Sequence, residues 1–218
     1  MDFQALAQQC APNVAPQTLA ALASVESSHN PYAIGVVGGA LSRQPRSLRE
    51  ALESAAQLMR ENRNFSVGLV QINRHNFAKH NVTIEQVFEP CTNLRVGGAI
   101  LQACYSQAAQ KLPDPQHALQ GALSCYYSGN LRRGFIPDKP GEPSYVQKVV
   151  AAGTKQRTNV VVPAIAPETG VPGPAVRRDA RATNHPVLFG PSDNTPGKST
   201  PLEAEKAPSF DEPHVVVF

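Results

Sequence analysis

The chain has 218 residues, of which 41% are apolar and 17% charged, and a formal net charge of +3. A charge that small gives no reason to expect nucleic acid as a partner, and no run approaches the roughly 18 apolar residues that a membrane-spanning helix needs. Met1-Asp2-Phe3-Gln4 has no basic start, and Asp2, Gln4, Gln8 and Gln9 interrupt any apolar run, so no signal peptide is recognisable at residue 1.

Residues 2–9 read as a short helix. Residues 16–28 read as a stronger one, with Pro16 suited to its first turn. Leu19, Leu22, Ala23 and Glu26 follow the 3–4 spacing and share one face. The helix is expected to stop before Asn30-Pro31, because the residue preceding proline avoids the α region. Val36-Val37-Gly38-Gly39 followed by Leu41-Ser42-Arg43 reads as a small β-hairpin. Residues 47–62 form a surface helix with Leu48, Ala51, Leu52, Ala55, Leu58 and Met59 as its apolar stripe. Ser47 and Glu50 have the spacing of a capping box. Residues 65–73 fit either a strand or an ordered loop. Helices are expected over 92–110, 115–128 and 143–152. The sum is a mainly α (α+β) domain with a small β element.

From residue 154 onward periodicity is lost. That segment holds 10 of the 20 prolines and equal numbers of acidic and basic side chains. Sparse hydrophobicity with dense proline cannot offset ordering entropy, so 154–218 is expected to be a disordered Pro-rich tail and 1–153 the domain that carries the chemistry. The apolar tip His214–Phe218 reads first as an unstructured end, and otherwise as a strand donated to another sheet edge.

Glu26 is the residue with the most chemical promise. A carboxylate on the apolar face of a helix is unusual. Desolvation there raises its pKa and keeps it protonated near neutrality, as a general acid at a glycosidic oxygen requires. Taken from the helix alone, a capping or Arg-paired Glu is the commoner reading. The four cysteines, Cys10, Cys91, Cys104 and Cys125, contain no C-x-x-C pair, which argues against a zinc ribbon or a thioredoxin-type motif. Spacing leaves two disulfides and four buried thiols equally open. His75 and His80 lack ligand spacing to a Cys or carboxylate, so no metal is expected. Gly35, Gly38 and Gly39 do not form a phosphate loop, and no cofactor is implied. Arg132-Arg133 reads as a solvated pair, and otherwise as a contact for a substrate carboxylate.

In order along the chain stand Val25-Glu26-Ser27, Gly68-Leu69-Val70-Gln71-Ile72-Asn73, Glu89–Gly98, Ala122–Asn130 with Tyr126-Tyr127, and Ser144–Val149 with Tyr145. In this order and spacing, residues 3–153 resemble the lytic transglycosylase domain of the soluble lytic transglycosylase (goose-lysozyme-like) family. Asn30–Gly39, Arg43-Gln44-Pro45 and Asn64–Leu69 are most similar to its VirB-operon subgroup, which cuts peptidoglycan for type IV secretion systems. The resemblance implies a lysozyme-like fold with a small β-hairpin beside the cleft. It implies a periplasmic location, with peptidoglycan glycan strands as substrate and secretion-channel subunits as partners. Glu26 takes the position of the catalytic acid/base. Ser27, Gly68, Gln71, Asn73, Tyr126, Tyr127 and Tyr145 take substrate-binding or orienting positions, with Tyr126 and Tyr145 expected to hydrogen-bond Glu26. Ser27 is expected either to bond Glu26 or to end the helix. An oxidising compartment favours disulfides; four cysteines allow three connectivities, and their places on the helices make Cys10–Cys91 with Cys104–Cys125 the expected one.

No second acid is well placed for the usual two-carboxylate glycosidase scheme. Asp and Glu are absent from 27 to 49, and Glu89 reads as a charge at a helix start. A single acid suits substrate-assisted chemistry ending in a 1,6-anhydro sugar. Tyr127 stands where the family pattern has Asn, which leaves room for a reshaped cleft. A lysozyme-type hydrolase and a weakly catalytic scaffold of the secretion channel are the rival readings.

Overall fold

The computed structural model describes residues 2–155; the tail expected from 154 lies outside them except for Thr154 and Lys155, which continue the last helix. Seven α-helices and three short strands make up the described region. α1 (Phe3–Cys10) is capped by the Asp2 carboxylate, which accepts from the Gln4 N–H. α2 (Pro16–Ser27) starts on proline. β1 (Ile34–Val36), α3 (Leu48–Arg60), β2 (Phe65–Val67) and β3 (Ile72–Asn73) follow. A 3-10 turn (Arg74–Asn76) leads to α4 (Ile84–Phe88), which has a full Thr83/Gln86 capping box and was not foreseen from the sequence. α5 (Pro90–Ala109) begins on Glu89, whose carboxylate accepts from the Cys91 and Thr92 N–H groups. α6 (Pro115–Ser128) ends on left-handed Gly129. A second 3-10 turn (Arg133–Phe135) and α7 (Tyr145–Lys155) complete the chain.

α5 lies along α6, and α2 packs against both α7 and α1. Leu19, Leu22, Phe65, Phe88, Leu94 and Leu101 fill the core between these helices and the sheet. Two disulfides cross-link the helical frame. Cys10–Cys91 joins α1 to the start of α5, and Cys104–Cys125 joins α5 to α6, the pairing expected among the three that four cysteines allow.

The sheet departs from the expected hairpin. β1 does not pair with residues 41–43. It pairs antiparallel with β2, Ile34 opposite Val67 and Val36 opposite Phe65. The hairpin is β2–β3, turning through residues 68–71, with Ser66 opposite Asn73. The other edge of β1 is closed by a side chain. Gln44 Oε1 accepts from Ile34 N–H (2.8 Å) and Gln44 Nε2 donates to Ile34 O (3.0 Å). One amide thus takes the place of a strand, which a Gly-Gly turn signal cannot reveal.

Two helix ends also differ. α2 stops at Ser27, before the proline effect applies, because Ser28 and His29 turn left-handed (φ 52° and 62°). The box expected at α3 is half made. Ser47 Oγ accepts from Glu50 N–H, but the Glu50 carboxylate turns to Arg43 and the Arg46 N–H. Leu48 and Met59, at the ends of the α3 stripe, remain exposed.

Candidate active site

The face of α2 that carries Leu19, Leu22 and Ala23 is fully buried and carries Glu26 in with it, 3% exposed, one residue from the helix end. Burial pushes its carboxyl up to about 8, partly offset by a hydrogen bond from the Tyr145 hydroxyl to Oε1. No cation among the described residues lies close enough to reverse that shift. At neutral pH this carboxyl is protonated.

Tyr145 is the first residue of α7. Ser144 and Gln147 hold that start in a reciprocal box: Ser144 Oγ accepts from Gln147 N–H (3.3 Å) and Gln147 Oε1 accepts from Ser144 N–H (2.8 Å). The Ser-x-x-Gln spacing in the sequence signals this box. Tyr126 and Tyr127 are successive residues near the end of α6, so helical geometry sends their rings to different neighbours. Tyr126 donates to Val70 O (2.6 Å), not to Glu26 as expected. Tyr127 stacks on Tyr145, ring centroids 4.5 Å apart and planes 16° off parallel, and donates to Asp138 Oδ1 (2.8 Å). Burial and the Glu26 carboxylate push the Tyr126 and Tyr145 hydroxyls well above the usual tyrosine range. Both are neutral donors throughout the physiological range.

The opposite wall is the β2–β3 turn, and its carbonyls are claimed by three helices. Ser27 Oγ, at the end of α2, donates to Leu69 O (2.7 Å), so it ties Glu26's helix to the turn and makes no bond to Glu26 itself. Tyr126 from α6 holds Val70 O. Asn93 from α5 donates to Val67 O (3.0 Å) and Val87 O (2.9 Å) and accepts from Val70 N–H (2.9 Å). Asn93 is 1% exposed and was missed as a site residue; a buried Asn one turn into a helix was the available signal. Gly68 has φ +83°, and a Cβ there would come 2.1 Å from Asn93 Nδ2. At Gly97 a Cβ would come 2.4 Å from Val70, so this glycine lets α5 approach the turn.

Gln71 ends the turn in the left-handed region (φ 49°). Its Nε2 donates to Ala33 O (3.1 Å) and Gly68 O (2.9 Å), which fixes the amide and leaves buried Oε1 without a partner among the described residues. Asn73 Nδ2 donates to Asn64 Oδ1 (2.9 Å) and Ser66 Oγ (3.3 Å). A cleft of about 200 Å³ joins the two walls, lined by Glu26, Ser66, Gln71, Asn73, Tyr126 and Tyr127 and flanked by Cys104 and Cys125. Glu26 is the one acidic side chain among its described lining residues.

Of the sequence candidates, Glu26, Gln71, Asn73, Tyr126 and Tyr127 reach the cleft directly. Tyr145 reaches it through Glu26, while Ser27 and Gly68 act on the turn behind it. Arg133 is not the solvated residue expected. It pairs with Asp138 (2.6 Å) and lies over the Tyr127 ring, 5.8 Å from its centroid. Among the described residues no group of three or more His, Cys, Asp or Glu side chains could hold a metal ion.

A buried, neutral carboxyl facing a narrow polar cleft in a mainly helical domain has the make-up of a general-acid site. The transglycosylase SLT domain matches residues 4–136, and the chain belongs to that family of lytic transglycosylases. It is 55% identical over 167 residues to the type IV secretion system protein virB1 of Brucella abortus, covering 76% of this chain and 70% of the relative. To protein virB1 of Agrobacterium fabrum it is 34% identical over 153 residues, covering 69% and 59% respectively. No solved structure matches the chain.

Proposed function

We propose that the protein cuts the β-1,4 bond between N-acetylmuramic acid and N-acetylglucosamine in peptidoglycan, in the periplasm, to open the wall locally for a type IV secretion or conjugation apparatus. Glu26 is the acid and then the base. Its proton goes to the glycosidic oxygen as the C1–O bond breaks. The acetamido oxygen of the muramic sugar stabilises C1 from the opposite face. The Glu26 carboxylate then removes the proton of the C6 hydroxyl, and that oxygen closes on C1. The product is a 1,6-anhydro sugar, Glu26 is protonated again, and no water is consumed.

The observation that carries this reading is a single carboxyl, buried and pushed up to about 8, as the one acid among the described residues that line the cleft. A two-carboxylate hydrolase needs a second acid there. Tyr145 orients Glu26, and the unpartnered Gln71 Oε1 accepts from a donor on the bound sugar. Residues 1–153 form the catalytic unit and 154–218 a separate segment. The virB1 relatives support the secretion setting, and a chain cut after Lys155 is expected to keep its lytic activity.

Digestion of purified peptidoglycan followed by mass spectrometry tests the chemistry. Fragments one water lighter than hydrolysis products are expected. Reducing muramic ends would instead make the protein a hydrolase.

A further inference from the structure

Tyr127 occupies a place that the acid/base scheme leaves without a task. It is 6% exposed and its ring lies flat on Tyr145, itself 5% exposed. Its hydroxyl is pinned by Asp138 Oδ1, the same oxygen that Arg133 Nη2 holds at 2.6 Å. Arg133 also covers the Tyr127 ring and donates to Ile136 O (2.8 Å). One end of Tyr127 is therefore fixed to the connection between α6 and α7, and its face is fixed to the ring that carries the hydroxyl on Glu26. A tyrosine free to tilt swings its hydroxyl through an arc, and a parallel neighbour clamped at both ends removes that freedom.

We propose that Tyr127 is a positioning residue for the proton transfer: clamped between the Tyr145 ring and the Arg133–Asp138 pair, it holds the Tyr145 hydroxyl on Glu26. This rests on Glu26 as the acid. The titratable groups that face Glu26 are Tyr145 from α7 and Tyr126 and Tyr127 from α6, with Arg133 and Asp138 beyond Tyr127. The β wall contributes only the neutral Ser66, Gln71 and Asn73.

The test measures kcat, KM and the pH profile of lysis on the full chain. Tyr127→Leu removes the stack. It is expected to lower kcat at least tenfold, leave KM within about twofold, and move the alkaline limb upward, since the Tyr145 bond holds the Glu26 pKa down. Tyr127→Phe keeps the stack and is expected to recover most of that loss. A wild-type kcat and alkaline limb in folded Tyr127→Leu, or a Phe variant no better than Leu, overturns the proposal. Where Tyr127→Leu does not fold, Tyr127→Phe and Asp138→Ala decide. Each is expected to lower kcat a few fold, and the double variant no further. Additive losses, or no loss from either, overturn it. Glu26→Gln separates the two failures. If that variant still lyses, the assignment of the acid fails. If it is inactive while Tyr127→Leu behaves as wild type, only the positioning role fails.

Discussion

Two concavities of the described domain have glutamate at their walls and are opposite in character. The larger, about 460 Å³, lies between α3 and the 39–45 segment and holds Glu50, Glu53 and Glu61. The smaller, about 200 Å³, holds Glu26 alone. Glu50 bonds the Arg43 guanidinium at 2.7 Å and the Arg46 N–H at 3.1 Å, and these partners, Arg43 first, push its carboxyl down to about 2. Glu26 has no cation beside it among the described residues, and burial pushes it up to about 8. Neither the size of a concavity nor its number of carboxylates marks acid chemistry. Desolvation without a countercharge does.

Glu26→Gln is the sharpest way to break that comparison. Loss of a general acid costs about 10²–10⁴-fold, and lysis should fall by that much. The same variant reads the burial directly. Folding raises the Glu26 pKa, so its stabilising contribution is complete below the ordinary value of 4.5 and is lost as pH rises through 8. Wild type should therefore weaken between these values by about 3–5 kcal/mol. Glu26→Gln should escape that loss and melt higher than wild type above pH 8, but not near pH 4. Equal melting differences at both pH values would mean that the carboxyl is not held neutral.

Asn93→Ala tests what keeps the smaller cleft narrow. Removing the side chain strands Val67 O, Val87 O and Val70 N–H at a buried site. Each unmet group costs about 1–3 kcal/mol, so the loss should be about 3 kcal/mol or more, measured by denaturant unfolding. Lysis should fall as well, because Val70 O anchors Tyr126 and Gln71 closes the same turn. A stable variant with a wild-type cleft would show that the other two tethers suffice.

The two walls of that cleft were not equally legible in the sequence. The helical wall followed from spacing: Leu19, Leu22 and Ala23 predicted the face that buries Glu26, and Tyr145 came with the resemblance. The opposite wall is made of main-chain carbonyls held in left-handed geometry at Gly68 and Gln71. Periodicity says nothing about a carbonyl's partner, so Asn93 went unmarked as a site residue, Tyr126 was read toward Glu26 when it serves the turn, and Ser27, which ends α2 as one of its two readings had it, also ties that helix to the turn. The misplaced hairpin has the same origin. A side-chain amide, Gln44, completes β1 where a strand was expected.

Tyr145→Phe asks how far the Glu26 environment depends on one donor. The phenyl ring keeps the stack on Tyr127 and deletes only the hydroxyl. Because that bond lowers the Glu26 pKa against a larger desolvation effect, its loss moves the carboxyl further up. The alkaline limb of the pH–rate profile should shift upward, and kcat should fall by about tenfold as orientation is lost. A downward shift would mean that water replaces the hydroxyl and solvates the carboxylate. The contrast with Glu50 would then rest on exclusion of water by Tyr145, not on burial by α2.

Glu50→Gln probes the other half of the comparison, and its effect should be the smallest. Folding lowers the Glu50 pKa, so its contribution is present above the ordinary 4.5 and is lost as pH falls toward about 2. Arg43 is 59% exposed and Glu50 33%, so water and salt screen the pair. The variant should melt slightly below wild type at neutral pH and low salt, and the gap should close in about 1 M salt, where the screening length falls to about 3 Å. Lysis should stay close to wild type, since no residue of the groove lines the smaller cleft. A large loss of lysis in Glu50→Gln would mean that the polymer reaches across both concavities, and the two would have to be treated as one binding surface.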